Sequence, residues 1–389
     1  MLIAPWIWSD GTALSLLSQM ATLMLLGLSY NMLLGQGGML SFGHAVYSGM
    51  GAFAAIYALQ AIGAGSLPLP VTLLPLVGGV AGLLCGALFG YLTTRLGGTT
   101  FAMLTLGIGE LVAAFAAMLP DYFGGESGIS ADRVTGSGWQ GLNFGVTYGP
   151  QIEVYYLIAA WLFLCGAAMY GFTLTPLGRL LKAVRDNPER AEFIGCDPRR
   201  VRYLTLMLSA FFAGIAGALS AINFEIVSVE NLSSLRSGAL LVLTVIGGSG
   251  HFFGPVLGAA ISIGFSGWLA TRSNAWQLYM GLFFMLAVMF APGGVAGAVA
   301  SLVAVCRDGG WRRLWRPIFC VAMAALCVTA AGVMLIELLY RWRYGAADTG
   351  LPMSVAPMAL MACIVALLVS CAALAFLWRW LQRCRDVRS

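Results

Sequence analysis

The residues able to do chemistry are few in this chain, and they gather in a few places. The densest is Thr175 to Tyr203, TPLGRLLKAVRDNPERAEFIGCDPRRVRY, where Arg179, Lys182, Arg185, Arg190, Arg199, Arg200 and Arg202 stand among Asp186, Glu189, Glu192 and Asp197. An ordered segment of this charge suits either a docking surface for another protein or a basic hairpin that sets membrane topology. Pattern alone leaves both open. Two histidines, His44 and His251, each follow a glycine inside a glycine-rich stretch, and the chain has no others. An imidazole in such a place can contact a solute or sit as a satisfied core residue. Glu110 lies within the apolar run FAMLTLGIGELVAAF, which also holds Thr105. Charge there is expensive, so the carboxylate reads as either a solute contact or a hydrogen-bonding partner for a neighbouring helix.

Catalysis gets little support. No Ser/His/Asp or Cys/His triad and no HExxH occurs. Lys182 is the only lysine, and no GxxxxGK[ST] surrounds it, so the chain has no Walker A loop and no nucleotide-hydrolysing domain of that kind. The 9 cysteines are scattered without a CxxC pair and read as small buried hydrophobes, so neither a disulfide framework nor a metal site is expected.

The elements that must position these residues are helices in a membrane. Of 389 residues, 60% are hydrophobic and only 10% charged, against roughly a quarter charged in a soluble domain. The fold class expected is an all-α polytopic membrane protein with about 9–11 transmembrane or broken helices. Glycine, at 50 residues, suits close approach of membrane helices. The apolar segments are 12–34, 38–62, 70–94, 99–119, 150–172, 201–222, 237–248, 253–270, 275–291, 316–340 and 355–378. Segment 237–248 is too short to span alone. The N-terminus has no basic n-region, so a cleavable signal peptide is not expected.

Charge placement orients the chain. The positive-inside rule puts 175–203 inside, with Arg95, the cluster Arg307, Arg312, Arg313 and Arg316, and the tail Arg379, Arg383, Arg385 and Arg388. The loop 120–149, with Asp121, Glu126 and Asp132 against Arg133, falls outside. That ordering places the N-terminus outside and the C-terminus in the cytoplasm, with Arg341 and Arg343 as a dissonant pair on the outside. Glu337 and Arg341 read as an i, i+4 pair at the interface. Asn223 and Glu225 either line an external vestibule or belong to solvated loop.

Within 175–203, Leu177, Leu180, Leu181 and Val184 recur as one apolar stripe of a short helix. Asn187-Pro188 reads as the start of a second short helix that Gly195 closes, and Asp197-Pro198 as the start of the next long one. Two hydrophobic segments are interrupted alike: GQGGMLSFGHAVYSGMGAF at 35–53 and VIGGSGHFFGPVLGAAIS at 245–262. Paired glycine breaks point to an internal repeat and a substrate path, although glycines also serve plain helix packing. The candidate pathway residues are therefore Asn31, Ser41 and His44 near the first break, Ser249 and His251 in the second, and Thr105 and Glu110 between them in sequence. A carboxylate of a zwitterionic solute would suit helix N-termini at these breaks.

These residues carry a family resemblance. NMLLGQGGMLSFGHAVYSGMGAFAA at 31–55, TFAMLTLGIGE at 100–110, LGRLLKAVRDNPERAEFIGCDPRRVRYLTLMLSAFFAGIAGAL at 177–219, SGALLVLTVIGGSGHFFGPVLGAAI at 237–261 and FAPGGVAG at 290–297 resemble, in order, the LivM-type permease subunits of branched-chain amino acid ABC importers. The likeness covers roughly 14–300. It implies an ABC importer permease fold over 1–304 in the bacterial inner membrane, with 305–389 as an extension of two further apolar segments and a basic tail. It also implies a LivH-like second permease, two cytoplasmic ATPase subunits that handle ATP, and a periplasmic substrate-binding protein. No cofactor is implied for this chain itself, and nothing addresses nucleic acid. Residues 177–198 match the family's ATPase-coupling loop, carried by Leu177, Gly178, Arg179, Leu180, Lys182, Ala183, Val184, Arg185, Asp186, Glu189 and Gly195. On that view the Leu177/Leu180/Leu181/Val184 stripe packs in the ATPase cleft while Arg179, Lys182 and Arg185 flank it.

The function implied is ATP-driven uptake of branched-chain or related hydrophobic amino acids by alternating access. The same machinery moving urea, short amides or aromatic acids is an alternative. So is an ATP-independent secondary transporter or channel, against which stand the structured charged segment and the scarcity of intramembrane carboxylates. The basic tail can meet anionic lipid, or simply anchor topology.

Overall fold

The 27-residue helix Pro198–Phe224 is the post around which the other helices stand. Asp197 starts it by accepting a hydrogen bond from the Arg199 N–H at 2.9 Å, with Pro198 in the first turn. It ends where Glu225 turns into the left-handed region at φ +56°. Buried residues run all round it, from Val201 to Asn223, as befits a helix with protein on every side.

The computed structural model describes residues 11–125, 127–134, 148–269, 276–290, 293–297 and 299–300. The basic cluster at 307–316, the segments 316–340 and 355–378, the Glu337/Arg341 pair and the boundary expected at 304 lie outside the described residues.

Helix α1 is Gly11–Asn31 and runs on as a π-turn, Met32–Gln36. It is followed by α2, His44–Gly63; α3, Leu74–Thr93; α4, Thr99–Met118; and α5, Gln151–Leu174. Two short helices, α6 at Pro176–Asp186 and α7 at Pro188–Phe193, lead into the central helix, α8. Then come α9, Ser234–Gly247; α10, Gly254–Gly264, running on as a π-turn Phe265–Leu269; and α11, Trp276–Phe290. Six helices among the described residues are long and apolar enough to cross a membrane. With the shorter α9, α10 and α11 they meet the expectation of an all-α polytopic membrane protein. The one sheet among these residues is a two-residue antiparallel pair, β1 (Ile129–Ser130) with β2 (Ile226–Val227).

Small residues hold the bundle together. Gly78, Gly82, Gly86 and Gly90 are all buried and recur every fourth position on α3, which makes one flat stripe down that helix. A Cβ on Gly82 would lie 2.3 Å from the Ala210 carbonyl of α8, and one on Gly78 2.5 Å from the Ala218 methyl. Helix α2 fits the same post: a Cβ on Gly51 would meet Gly214 at 2.5 Å, and one on Gly217 would come 1.8 Å from the Ser48 carbonyl. Helix α4 is the exception. Met103, Leu111, Phe115 and Met118 are exposed along it, so one long face has no close neighbour among the described residues.

The chain divides into two compact units, Met1–Gly264 with Leu286–Gly297, and Phe265–Met285 with Ala298–Ser389. The first contains α1 to α10 and everything described below. In the second, the Phe265 and Phe283 rings lie 5.3 Å apart.

Candidate functional site

The first break begins where α1 passes at Asn31 into the π-turn and ends at His44. Between them the chain reverses, with Gly38 at φ +63°. Hydrogen bonds from neighbouring helices fix the reversal. The Thr105 hydroxyl of α4 accepts from the Phe42 N–H at 3.1 Å while donating to the Ala102 carbonyl at 2.9 Å. Tyr30 donates to the Ser41 carbonyl at 3.0 Å, and the Ala45 N–H donates to Ser237 at 3.0 Å. His44 is fully buried, with the rings of Tyr30 and Tyr47 set edge-on to it at 5.1 and 5.8 Å. Its Nε2 is 2.9 Å from Ser29 Oγ. That hydroxyl already gives its proton to the Leu26 carbonyl, so it accepts from Nε2–H and the tautomer follows.

The second break lies between α9 and α10. Gly248, at φ +109°, leaves the helix; the His251 N–H donates back to the Gly248 carbonyl at 3.2 Å; and α10 starts at Gly254. The two breaks meet. Asn31 Nδ2 donates to the His251 carbonyl at 3.2 Å. A Cβ on Gly35 would lie 2.1 Å from the Ser249 carbonyl and 2.3 Å from Asn31 Oδ1, so only glycine fits there. Asn31 Oδ1, Gln36 Oε1, Ser41 Oγ and His44 Nδ1 are all buried without a hydrogen-bonding partner among the described residues. Four such atoms within one short reversal make it a polar seam in an otherwise apolar core.

The structure therefore brings Asn31 together with the main chain of Ser249 and His251, and ties Ser41 and Thr105 into the first reversal. His44 and His251 are not equivalent: the first is sealed inside the bundle and the second is exposed. Glu110 parts company with Thr105. Thr105 is buried against the first break, whereas Glu110 stands on the uncovered face of α4, beside Gly107, above which there is open space. At the C-terminal end of that helix, Ala117, Gly125, Ser228, Val229 and Glu230 line a hollow of about 480 Å³.

The charged segment is built as its capping residues require. Thr175 caps α6 by accepting from the Gly178 N–H at 3.3 Å, Asn187 caps α7 by accepting from Arg190 at 3.1 Å, and Gly195 closes the pair at φ +85°. The apolar stripe requires a correction. Leu181 and Val184 are 0% and 1% exposed, packed into the bundle of their own chain, so they cannot lie in a partner's cleft. A helix lying on a membrane domain must bury its own stripe first. What it leaves outside is Arg179, Leu180, Lys182, Ala183 and Asp186, followed by Glu189 and by Phe193 and Ile194, at 91% and 82% exposure. Arg185, also partly exposed, bridges the two sides: its Nη1 donates to the Gly35 carbonyl in the π-turn at 2.6 Å, while Nε and Nη2 both reach the exposed Asp186 Oδ1.

Arg133 was legible only as a topology signal and proves to be a staple. Its side chain is 11% exposed and pairs with Glu225 at 3.3 Å. It donates to the carbonyls of Tyr148, Ile222 and Asn223 and to Gln151 Oε1, closing the C-terminal end of α8, where a cation is favoured. Gln151 in turn donates to Asn223 Oδ1 at 2.7 Å. Asn223 and Glu225 are thus tied into this staple and are not free loop. The same burial pushes the Tyr148 phenol up from its ordinary pKa.

Comparison with known proteins bears on all of this. Residues 12–293 match the family described as branched-chain amino acid transport system / permease component. The chain is 30% identical over 289 residues to the high-affinity branched-chain amino acid transport system permease protein LivM of Escherichia coli strain K12, a match covering 70% of this chain and 67% of that one. It is 28% identical over 288 residues to the LivM of Salmonella typhimurium, with the same coverage. The fructose import permease protein FrcC of Rhizobium meliloti is 26% identical over 224 residues, covering 53% of this chain and 59% of FrcC. No solved structure matches the chain.

Proposed function

This chain belongs to the family of branched-chain amino acid transport system permease components, and from that premise we propose that it is the LivM-type subunit of a binding-protein-dependent ABC importer. In this reading it carries branched-chain or related hydrophobic amino acids inward across the bacterial inner membrane. The observation that carries the proposal is the charged segment, an ordered pair of capped helices whose inner face is tied to the membrane bundle and whose outer face offers Leu180, Phe193 and Ile194 amid charge.

Two cytoplasmic ATPase subunits power the transporter and hold the ATP, since this sequence has no Walker A loop of its own, and one of them docks on that outer face. A LivH-like second permease covers the free face of α4. Glu110 supports this, because a carboxylate midway along an apolar helix needs protein or water opposite it, not lipid. A periplasmic binding protein delivers the solute. The N-terminus lies outside and the C-terminus in the cytoplasm, with 1–304 as the permease domain and 305–389 as a lipid-contacting extension. The solute passes by alternating access, in which the ATPase pair rocks the permease halves about the paired breaks. The fructose import relative supports a second reading of the cargo, a small sugar moved by the same machine.

Isolation of the chain from its native membrane in mild detergent, with mass spectrometry of what accompanies it, tests the proposal. A second permease and Walker-A ATPases are expected, together with ATP-dependent amino acid uptake by proteoliposomes made from the complex. A chain that came out alone and moved solute without ATP would retire the importer in favour of a secondary transporter or channel.

A further inference from the structure

Arg185 sits in the charged segment and stays partly exposed, with Asp186 on one side of its guanidinium, yet the other side bonds the membrane bundle. Nη1 reaches back 150 positions in sequence to the Gly35 carbonyl at 2.6 Å. Gly35 lies in the last turn of the α1 π-turn, where carbonyls have no acceptor role left along the helix and need a donor from elsewhere. A cation is the favoured donor at such an end. The stem of Arg185 is seated as closely as its head: a Cβ on Gly38, which is at φ +63°, would lie 2.7 Å from Arg185 Cγ. One turn earlier, Leu181 packs on Gly37, whose Cβ would lie 3.2 Å from Leu181 Cδ1. Helix α6 thus holds Gly35, Gly37 and Gly38 with the buried Leu181 and, one turn on, the partly exposed Arg185.

The far end of the π-turn is tied as well. Asn31 donates to the His251 carbonyl of the second break, and Ser249 presses on Gly35. A π-turn holds one residue more than the α-helical register and can shed it by a local shift, which makes it a discrete two-position element rather than an elastic one. Any such shift moves Gly35 relative to Asn31, and so moves the second break.

We propose that Arg185 is a positioning residue that acts inward, transmitting displacement of the charged segment to the paired breaks through the Gly35 carbonyl. The inference rests on the importer reading. It assigns Arg185 to the relay and leaves docking to Leu180, Phe193 and Ile194.

The test uses the whole transport complex in proteoliposomes, with Arg185→Gln, Arg185→Lys and Gly38→Ala in this chain. Solute moved and ATP hydrolysed are measured together, and hydrogen exchange is followed over 32–39 with and without nucleotide. The expected result is that Arg185→Gln assembles normally and hydrolyses ATP, while solute moved per ATP falls about tenfold, a typical size for a lost coupling. Arg185→Lys, which keeps one donor, recovers part of the loss. Gly38→Ala, which displaces the arginine stem without touching its charge, reproduces it. Nucleotide changes exchange over 32–39 in the unaltered complex and not in Arg185→Gln. Loss of ATPase binding in Arg185→Gln, or unchanged solute moved per ATP in both Arg185→Gln and Gly38→Ala, overturns the inference while leaving the importer intact. If no ATPase joins the unaltered chain, the importer reading fails and takes this one with it.

Discussion

Asn31 and His251 are 220 positions apart, and the side-chain amide of the first donates to the main-chain carbonyl of the second at 3.2 Å. With the close approach of Gly35 to the Ser249 carbonyl, this bond joins two helix breaks that look alike in sequence. Replacing Asn31 by leucine removes the donor and leaves the His251 carbonyl unpaired, a loss of about 1–3 kcal/mol. Lower thermal stability in detergent and impaired uptake are the expected outcomes; a variant with full uptake would show that the contact is incidental.

Leu181 and Phe193 make a sharper pair of substitutions than any two positions on the apolar stripe. Leu181→Asp puts a charge into a fully buried site and should destabilise the chain by at least about 3 kcal/mol. Phe193→Asp, at a site 91% exposed, should change stability by less than about 0.5 kcal/mol. Only its binding to the ATPase should suffer, read by co-purification. Equal loss of folded protein in both would refute the inward-outward division of the segment.

Close packing on α8 predicts an asymmetry among glycines. Gly217→Ala forces a methyl against the Ser48 carbonyl and should cost about 1–3 kcal/mol or more. Gly171→Ala on α5 has nothing within 4 Å of the new methyl and should be neutral or gain up to about 1 kcal/mol from helix propensity. Thermal melting of the two purified variants decides it.

Arg133→Met strips the C-terminal end of α8 of its cation and leaves several carbonyls without a donor. Destabilisation of at least about 2 kcal/mol is expected. New protease cleavage between 120 and 150 should accompany it. Arg133→Lys should rescue little, because one ammonium cannot reach acceptors spread over Tyr148, Ile222 and Asn223.

The all-α membrane class, the caps at Thr175, Asn187 and Asp197, and both glycine breaks were legible because each rests on local pattern: apolar length, a capping side chain, a cluster of glycines. The face that a helix buries was less so. Periodicity finds the stripe Leu177, Leu180, Leu181 and Val184 but does not say what covers it, and a stripe meant for a partner looks the same as one meant for the chain's own bundle. Glu110 and Thr105 share an apolar run, yet a five-residue step turns them well apart around the helix. Arg133 was beyond reach for a different reason. Most of its acceptors are main-chain carbonyls, which leave no trace in the choice of residues, and those on α8 lie some ninety positions away.

The central place of α8 also sets an order of events during synthesis. Gly51 on α2 and the stripe from Gly78 to Gly90 on α3 are cut to fit a helix that the ribosome has not yet made when they emerge. From Gly51 to Gly214 is a stretch of about 163 residues, which at common translation speeds takes roughly 8–30 s. For that interval two glycine-lined helix surfaces stand in lipid beside each other with their intended neighbour absent. This part of the bundle can close only when its central post arrives.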